Sequence, residues 1–116
     1  MKRYALALDL KDDPRLIRQY EEHHKSVWPE IIASIKDAGI EAMEIYRLGT
    51  RLFMIMEVTV DFSFDQKAEA DSKNEKVQQW EELMWKYQQP LADAAKGVKW
   101  VLMDKIFDLK EFRYDG

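Results

Sequence analysis

The stretch Arg51-Leu52-Phe53-Met54-Ile55-Met56-Glu57-Val58-Thr59-Val60 constrains the fold more than any other part of the chain. In a strand, successive side chains point to opposite faces. Here both sets are apolar, with Leu52, Met54, Met56 and Val58 on one face and Phe53 and Ile55 on the other. A strand of this kind belongs to a sheet covered on both faces. Helices can supply one cover. A chain of 116 residues forms one domain, and no segment remains to supply the other, so a partner subunit is expected there. Glu57 shares the face of Phe53 and Ile55, where a buried carboxylate would need a partner or a task.

Periodicity places the elements around this strand. Residues 4–10 alternate, with Tyr4, Leu6, Leu8 and Leu10 on one face, which predicts a strand. Asp13 is placed to cap a helix whose first position is Pro14. The spacing then predicts one long helix over 14–38. At ~100° per residue, Leu16, Tyr20, His24, Val27, Ile31 and Ile35 form a stripe flanked by Ile17 and Trp28. Pro29 interrupts that pattern, so either a kink or a restart at Trp28-Pro29 is expected. Gly39 suits a left-handed cap. Residues 40–48 are the next strand, joined to 51–60 as an antiparallel hairpin by Gly49-Thr50. Ser63-x-x-Gln66 fits a capping box for a short helix to 72. Asn74 re-caps a second helix over 75–89, whose inward stripe is Val77, Trp80, Met84 and Tyr87. After a loop over 91–97, residues 98–107 alternate as a fourth strand. Residues 1–107 are thus read as one domain and 108–116 as a charged tail, mobile or wrapped on a partner. The order β-α-β-β-α-β, with its second helical region broken in two, is that of an α+β, ferredoxin-like subunit.

Several function classes are excluded. A formal net charge of −4 leaves no electrostatic footprint for nucleic acid. The chain has no cysteine, so disulfides, thiol catalysis and Cys-ligated metals are ruled out and a reducing, cytoplasmic setting is expected. No apolar run reaches membrane-spanning length, and the basic start is not followed by a signal-peptide core, so no membrane partner is expected. Gly-rich phosphate loops and a Gly-x-Ser-x-Gly elbow are missing. The two histidines, His23 and His24, are adjacent and diverge, without convergent ligand spacing, so no metal is expected.

What remains is the stretch from Tyr20 to Glu30, which holds both histidines. Helical phase puts His24 inside the apolar stripe, with Tyr20 one turn before it and Trp28 one turn after, and leaves His23 at the margin. Such a column is either core packing or a polar catalyst set in a sugar-stacking wall. Trp80 also points inward, whereas Trp85 points away from its stripe.

Tyr20-x-x-x-His24-x-x-x-Trp28-Pro29-Glu30, together with Glu44-Ile45-Tyr46, Leu52-Phe53 through Glu57, and Val77-x-x-Trp80, resembles the L-rhamnose mutarotase family over nearly the whole chain. The resemblance implies a homodimeric α/β barrel of ferredoxin-like subunits. It implies an isomerase that interconverts the anomers of a 6-deoxy-L-hexose, a monosaccharide, without metal or cofactor. It makes His24 the acid/base, Tyr20 a sugar-binding residue and Trp80 a pocket wall. Two positions depart from the family pattern. Met43 stands where a second sugar-contacting Tyr is found, and Glu81 where a second Trp is found. A branch resembling this chain more closely is associated with L-fucose, which favours L-fucose over L-rhamnose. On this reading Trp28 joins Trp80 in stacking on the sugar, and Glu81 or Glu57 accepts its hydroxyls. The rival readings are a haem-type oxygenase on the same barrel, with His24 as axial ligand, and a non-catalytic ligand-binding or regulatory module.

Overall fold

The computed structural model describes residues 2–95 and 97–112. Strand β1 (Lys2–Leu10) leads into helices α1 (Pro14–His23) and α2 (Pro29–Asp37), then strands β2 (Ile40–Leu48) and β3 (Arg51–Val58). Helices α3 (Phe64–Ser72) and α4 (Glu75–Met84), short strands β4 (Gln88–Gln89) and β5 (Val101–Leu102), and a 3-10 turn (Leu109–Glu111) complete the order. The sheet runs β2-β3-β1-β4, with β5 also on β1, and every pairing is antiparallel. This is the expected α+β, ferredoxin-like arrangement, with β4 and β5 sharing the place of the fourth strand.

The long helix is two helices. Pro29 sits in the first turn of α2, and Trp28 before it is extended (φ −57°, ψ 137°). Proline disfavours the α conformation in the residue it follows, so the chain leaves α1, crosses residues 24–28 and restarts. Asp13 caps α1 by accepting from the Arg15 and Leu16 amides. Ser63 and Asn74 cap α3 and α4 as the sequence predicts. At Gly39 (φ 94°) a Cβ would come within 2.7 Å of Thr59 Oγ1, so both the backbone angle and the close approach of β3 require glycine.

Three bounds differ from the periodicity. α4 ends at Met84, because residues 87–89 turn to serve the end of β1: Gln88 and Gln89 pair with Leu10 and Asp9, and Lys11 N–H donates to the Tyr87 carbonyl (2.9 Å). Buried backbone groups there need partners more than α4 needs another turn. The fourth strand shrinks to Val101–Leu102, extended only by Met103 N–H donating to the Ala5 carbonyl. Ile106 and Phe107 lie exposed. β3 stops at Val58, after which Thr59 N–H turns to the Gly39 carbonyl.

Leu6, Leu8 and Leu10 of β1 and Leu52, Met54, Met56 and Val58 of β3 face the helices and are buried. The opposite face carries Phe53 and Ile55, flanked by Ala5 and Ala7 on β1 and by Glu44 and Tyr46 on β2. Among the described residues no helix covers it, and Tyr46 and Leu48 are largely exposed. Glu57 on this face is not the buried carboxylate expected. It is half-exposed and bonded to Arg3 (2.7 Å), its cross-strand partner. Asp9 and Arg51 make a second cross-strand pair. The tail reading reaches past 112, and residues 113–116 lie outside the described residues.

Candidate active site

The end of α1, the break before α2 and the inner face of α4 meet over one end of the sheet. Tyr20 lies in the last turn of α1 and is buried. His24 is the residue that caps α1, still in helical conformation (φ −79°, ψ −7°), so helical phase carries it onto the face of Tyr20. Their rings are 4.4 Å apart. Trp80 of α4 is buried and meets His24 (5.8 Å), His23 (6.5 Å) and Trp28 (5.1 Å), each edge-on. Trp28, His24, Tyr20 and Trp80 are therefore brought together as the stripe predicts.

Glu81 is adjacent to Trp80 but turned to another partner. Lys99, its side chain mostly buried, donates to the Glu81 carboxylate (2.6 Å) and backbone carbonyl (2.9 Å). Lys99 also sits 4.5 Å from the centre of the Trp85 ring. Met43, the other departure from the family pattern, packs at the far end of the core against Leu6, Ile40, Met54, Met56 and Val58.

Two features were not legible in the helical phase. His23, assigned to the margin, turns toward α4 and its Nε2 lies 3.1 Å from the Tyr87 hydroxyl. An open groove of about 540 Å³, lined by Arg15, Arg18, Gln19, Glu22, His23 and Tyr87, reaches this pair from outside. Gln88, next to Tyr87, is buried in β4 opposite Leu10. The only sequence signal for any of these was Tyr87 in the inward stripe of α4.

Electrostatics give His24 and Tyr20 opposite tendencies. His24 Nδ1 lies 2.9 Å from the Tyr20 carbonyl, which can only accept, so Nδ1 carries the proton. In the neutral ring Nε2 is then a lone-pair acceptor, and among the described residues it has no hydrogen-bond partner. Burial pushes the His24 pKa down; the Tyr20 carbonyl opposes this and the neighbouring His23 adds to it. Burial pushes the Tyr20 phenol up to about 12, against the pull of the Gln88 side chain and with a smaller push from the Glu81 charge. The site thus holds an unprotonated base and a retained hydroxyl proton side by side, walled by indoles. That is the equipment for proton transfer to and from a small polar molecule with an apolar face. Among the described residues no three His, Asp or Glu side chains are grouped to hold a metal ion. No helix there is long and apolar enough to cross a membrane.

Comparisons with known proteins place the chain in a family. A family model described as L-rhamnose mutarotase matches residues 3–109. The L-fucose mutarotase of Xanthomonas campestris is 45% identical over 113 residues, covering 96% of this chain and 90% of its own length. The L-rhamnose mutarotase of Klebsiella pneumoniae is 30% identical over 75% of this chain and 76% of its own. The crystal structure of an L-rhamnose mutarotase from Formosa agariphila superposes with a TM-score of 0.70, covering 94% of this chain and 99% of its own, at 22% identity. Tetracenomycin F2 cyclase of Streptomyces glaucescens superposes at 0.62 with 15% identity, covering 93% of this chain and 96% of its own, a likeness of fold alone.

Proposed function

The chain belongs to the L-rhamnose mutarotase family, and from that premise we propose that it interconverts the α and β pyranose anomers of a 6-deoxy-L-hexose, L-fucose in preference to L-rhamnose. It is an isomerase acting on a carbohydrate. The observation that carries the mechanism is the hydrogen bond from His24 Nδ1 to the Tyr20 carbonyl, which leaves Nε2 as the base.

His24 Nε2 takes the proton from the anomeric hydroxyl. The C1–O1 bond becomes a carbonyl as the C1–O5 bond breaks, and the ring oxygen receives a proton from the Tyr20 side of the site. Rotation about C1–C2 exposes the other face of the aldehyde. The ring oxygen adds back, and the two protons return by the same routes. General acid–base catalysis of this kind contributes roughly 10²- to 10⁴-fold. Trp80 and Trp28 stack on the apolar face of the sugar or its methyl group. Glu81 keeps unused lone pairs beyond Lys99 and accepts a sugar hydroxyl.

A second copy of the chain covers the open sheet face and completes a dimeric α/β barrel. Both apolar faces of β3 and the exposure of Tyr46 and Leu48 support this reading. Saturation-transfer NMR of anomer exchange, with L-fucose, L-rhamnose and common D-hexoses, tests the activity. Catalytic amounts of protein accelerate exchange of L-fucose most. Acceleration of none of these sugars would favour the ligand-binding module instead, and undiminished exchange by His24→Ala would remove His24 from its role.

A further inference from the structure

Among the described residues, Gln88 is the only buried one whose side chain ends in an amide or a charge, and it is 4% exposed. Its Oε1 is also the only buried side-chain oxygen or nitrogen there without a hydrogen-bond partner. Buried polar groups are nearly always paired, and leaving one unpaired is costly, so an orphan of this kind needs a cause.

Its position supplies one. Gln88 pairs with Leu10 of β1, so it projects from the helix-covered face into the cluster that holds Leu10, Tyr20, Trp80 and Tyr87. The neighbouring Tyr87 hydroxyl is bonded to His23. The Gln88 side chain lowers the Tyr20 pKa. Neither nearby phenol, Tyr20 nor Tyr87, bonds the Gln88 oxygen, which is left without a partner.

We infer that Gln88 is a substrate-binding residue, whose buried oxygen accepts a hydrogen bond from one hydroxyl of the bound sugar. This rests on the mutarotase reading above. It gives that site a selector: L-fucose and L-rhamnose differ in configuration at C2 and C4, and an acceptor fixed on a strand serves a hydroxyl in only one of the two orientations. An apolar side chain would pack as well and recognise nothing.

The test is Gln88→Met, close in volume and without the acceptor, measured beside the wild type by anomeric-exchange NMR and by thermal unfolding. Exchange of L-fucose falls by roughly 5- to 100-fold in kcat/KM, mostly through KM, because the sugar hydroxyl loses its buried partner. The melting temperature without sugar stays equal or rises, because an unsatisfied group has been removed. Monofluorinated L-fucoses at C2, C3 and C4 identify the hydroxyl: at one position the fluorine weakens the wild type but not Gln88→Met. Unchanged KM in Gln88→Met means that the oxygen serves water, and overturns the inference. A variant that unfolds or melts lower overturns it too, since Gln88 is then structural. Wild-type protein that accelerates no sugar would instead remove the mutarotase reading itself.

Discussion

The helix-covered face of the sheet has two ends built from different materials. At one end Leu6, Ile40, Met54, Met56 and Val58 pack with Tyr4, Met43, Phe62 and Phe64, and no buried side-chain polar atom interrupts them. At the other, the buried cluster of Leu10, Tyr20, Ile31, Leu52, Val77, Trp80, Met84 and Tyr87 takes in the imidazoles of His23 and His24 and the amide of Gln88. Both ends are comparably buried, so burial alone does not tell a core from a site. The difference is in what is left unsatisfied. The dry end has its contacts complete within the chain, whereas the aromatic end keeps a free imidazole nitrogen and an orphan amide oxygen. A region that gives up pairing in this way has a reason outside its own stability.

Substitutions at the two ends should therefore separate activity from stability. At the aromatic end, His24→Ala is expected to lower kcat for anomer exchange by roughly 10²- to 10⁴-fold while the denaturation midpoint moves little, because the ring is half-buried and bonded once. At the dry end, Met56→Ala is expected to cost about 2–5 kcal/mol in urea unfolding and to leave kcat per folded molecule unchanged. A large activity loss from Met56→Ala, at protein concentrations where it is folded, would dissolve the distinction.

Two pH effects sharpen it further. The Tyr20 phenol is held at about 12 by burial, against about 10 in the unfolded chain. The folded state therefore keeps this proton longer than the unfolded state does. Stability from this group is present in full below pH ~10 and is lost as pH rises through ~12, a change of roughly 2–3 kcal/mol. Tyr20→Phe should flatten that part of the stability profile. The smallest effect is on rate. Because burial lowers the His24 pKa, the base form is present at neutral pH, and kcat/KM should rise with pH and level off, with its half-point below the ordinary histidine value of about 6.5. A rate still climbing above neutrality would mean that another group is the base.

Much of the architecture could be read along the chain. The hairpin bounds at Ile40, Gly49 and Arg51, the caps at Asp13, Ser63 and Asn74, and the restart at Pro29 rest on local chemistry, which needs no neighbour to act. The column of Tyr20, His24 and Trp28 survived the break after α1 because His24 is still helical and Trp28 lies within one turn of α2. Residues 87–89 and 98–107 depart from their periodicity for one reason. Both compete for the same edge of β1, and the outcome depends on which backbone groups of β1 remain unpaired. The setting of Glu57 is likewise not local: its partner Arg3 is brought opposite by strand register and is remote in sequence.

The sequence by itself determined the order of elements, the apolar stripe and the two residues with proton-handling chemistry on it, because periodicity and capping are properties of neighbours in the chain. It also determined that β3 is apolar on both faces, one of which no helix covers among the described residues. Tertiary structure alone decided that Trp80 closes on His24, that His23 turns to Tyr87, and that Gln88 is sealed beside Tyr20 with its oxygen unpaired. Those relations depend on how α4 and β4 dock against α1 and β1, and docking is settled by the packing of the whole molecule.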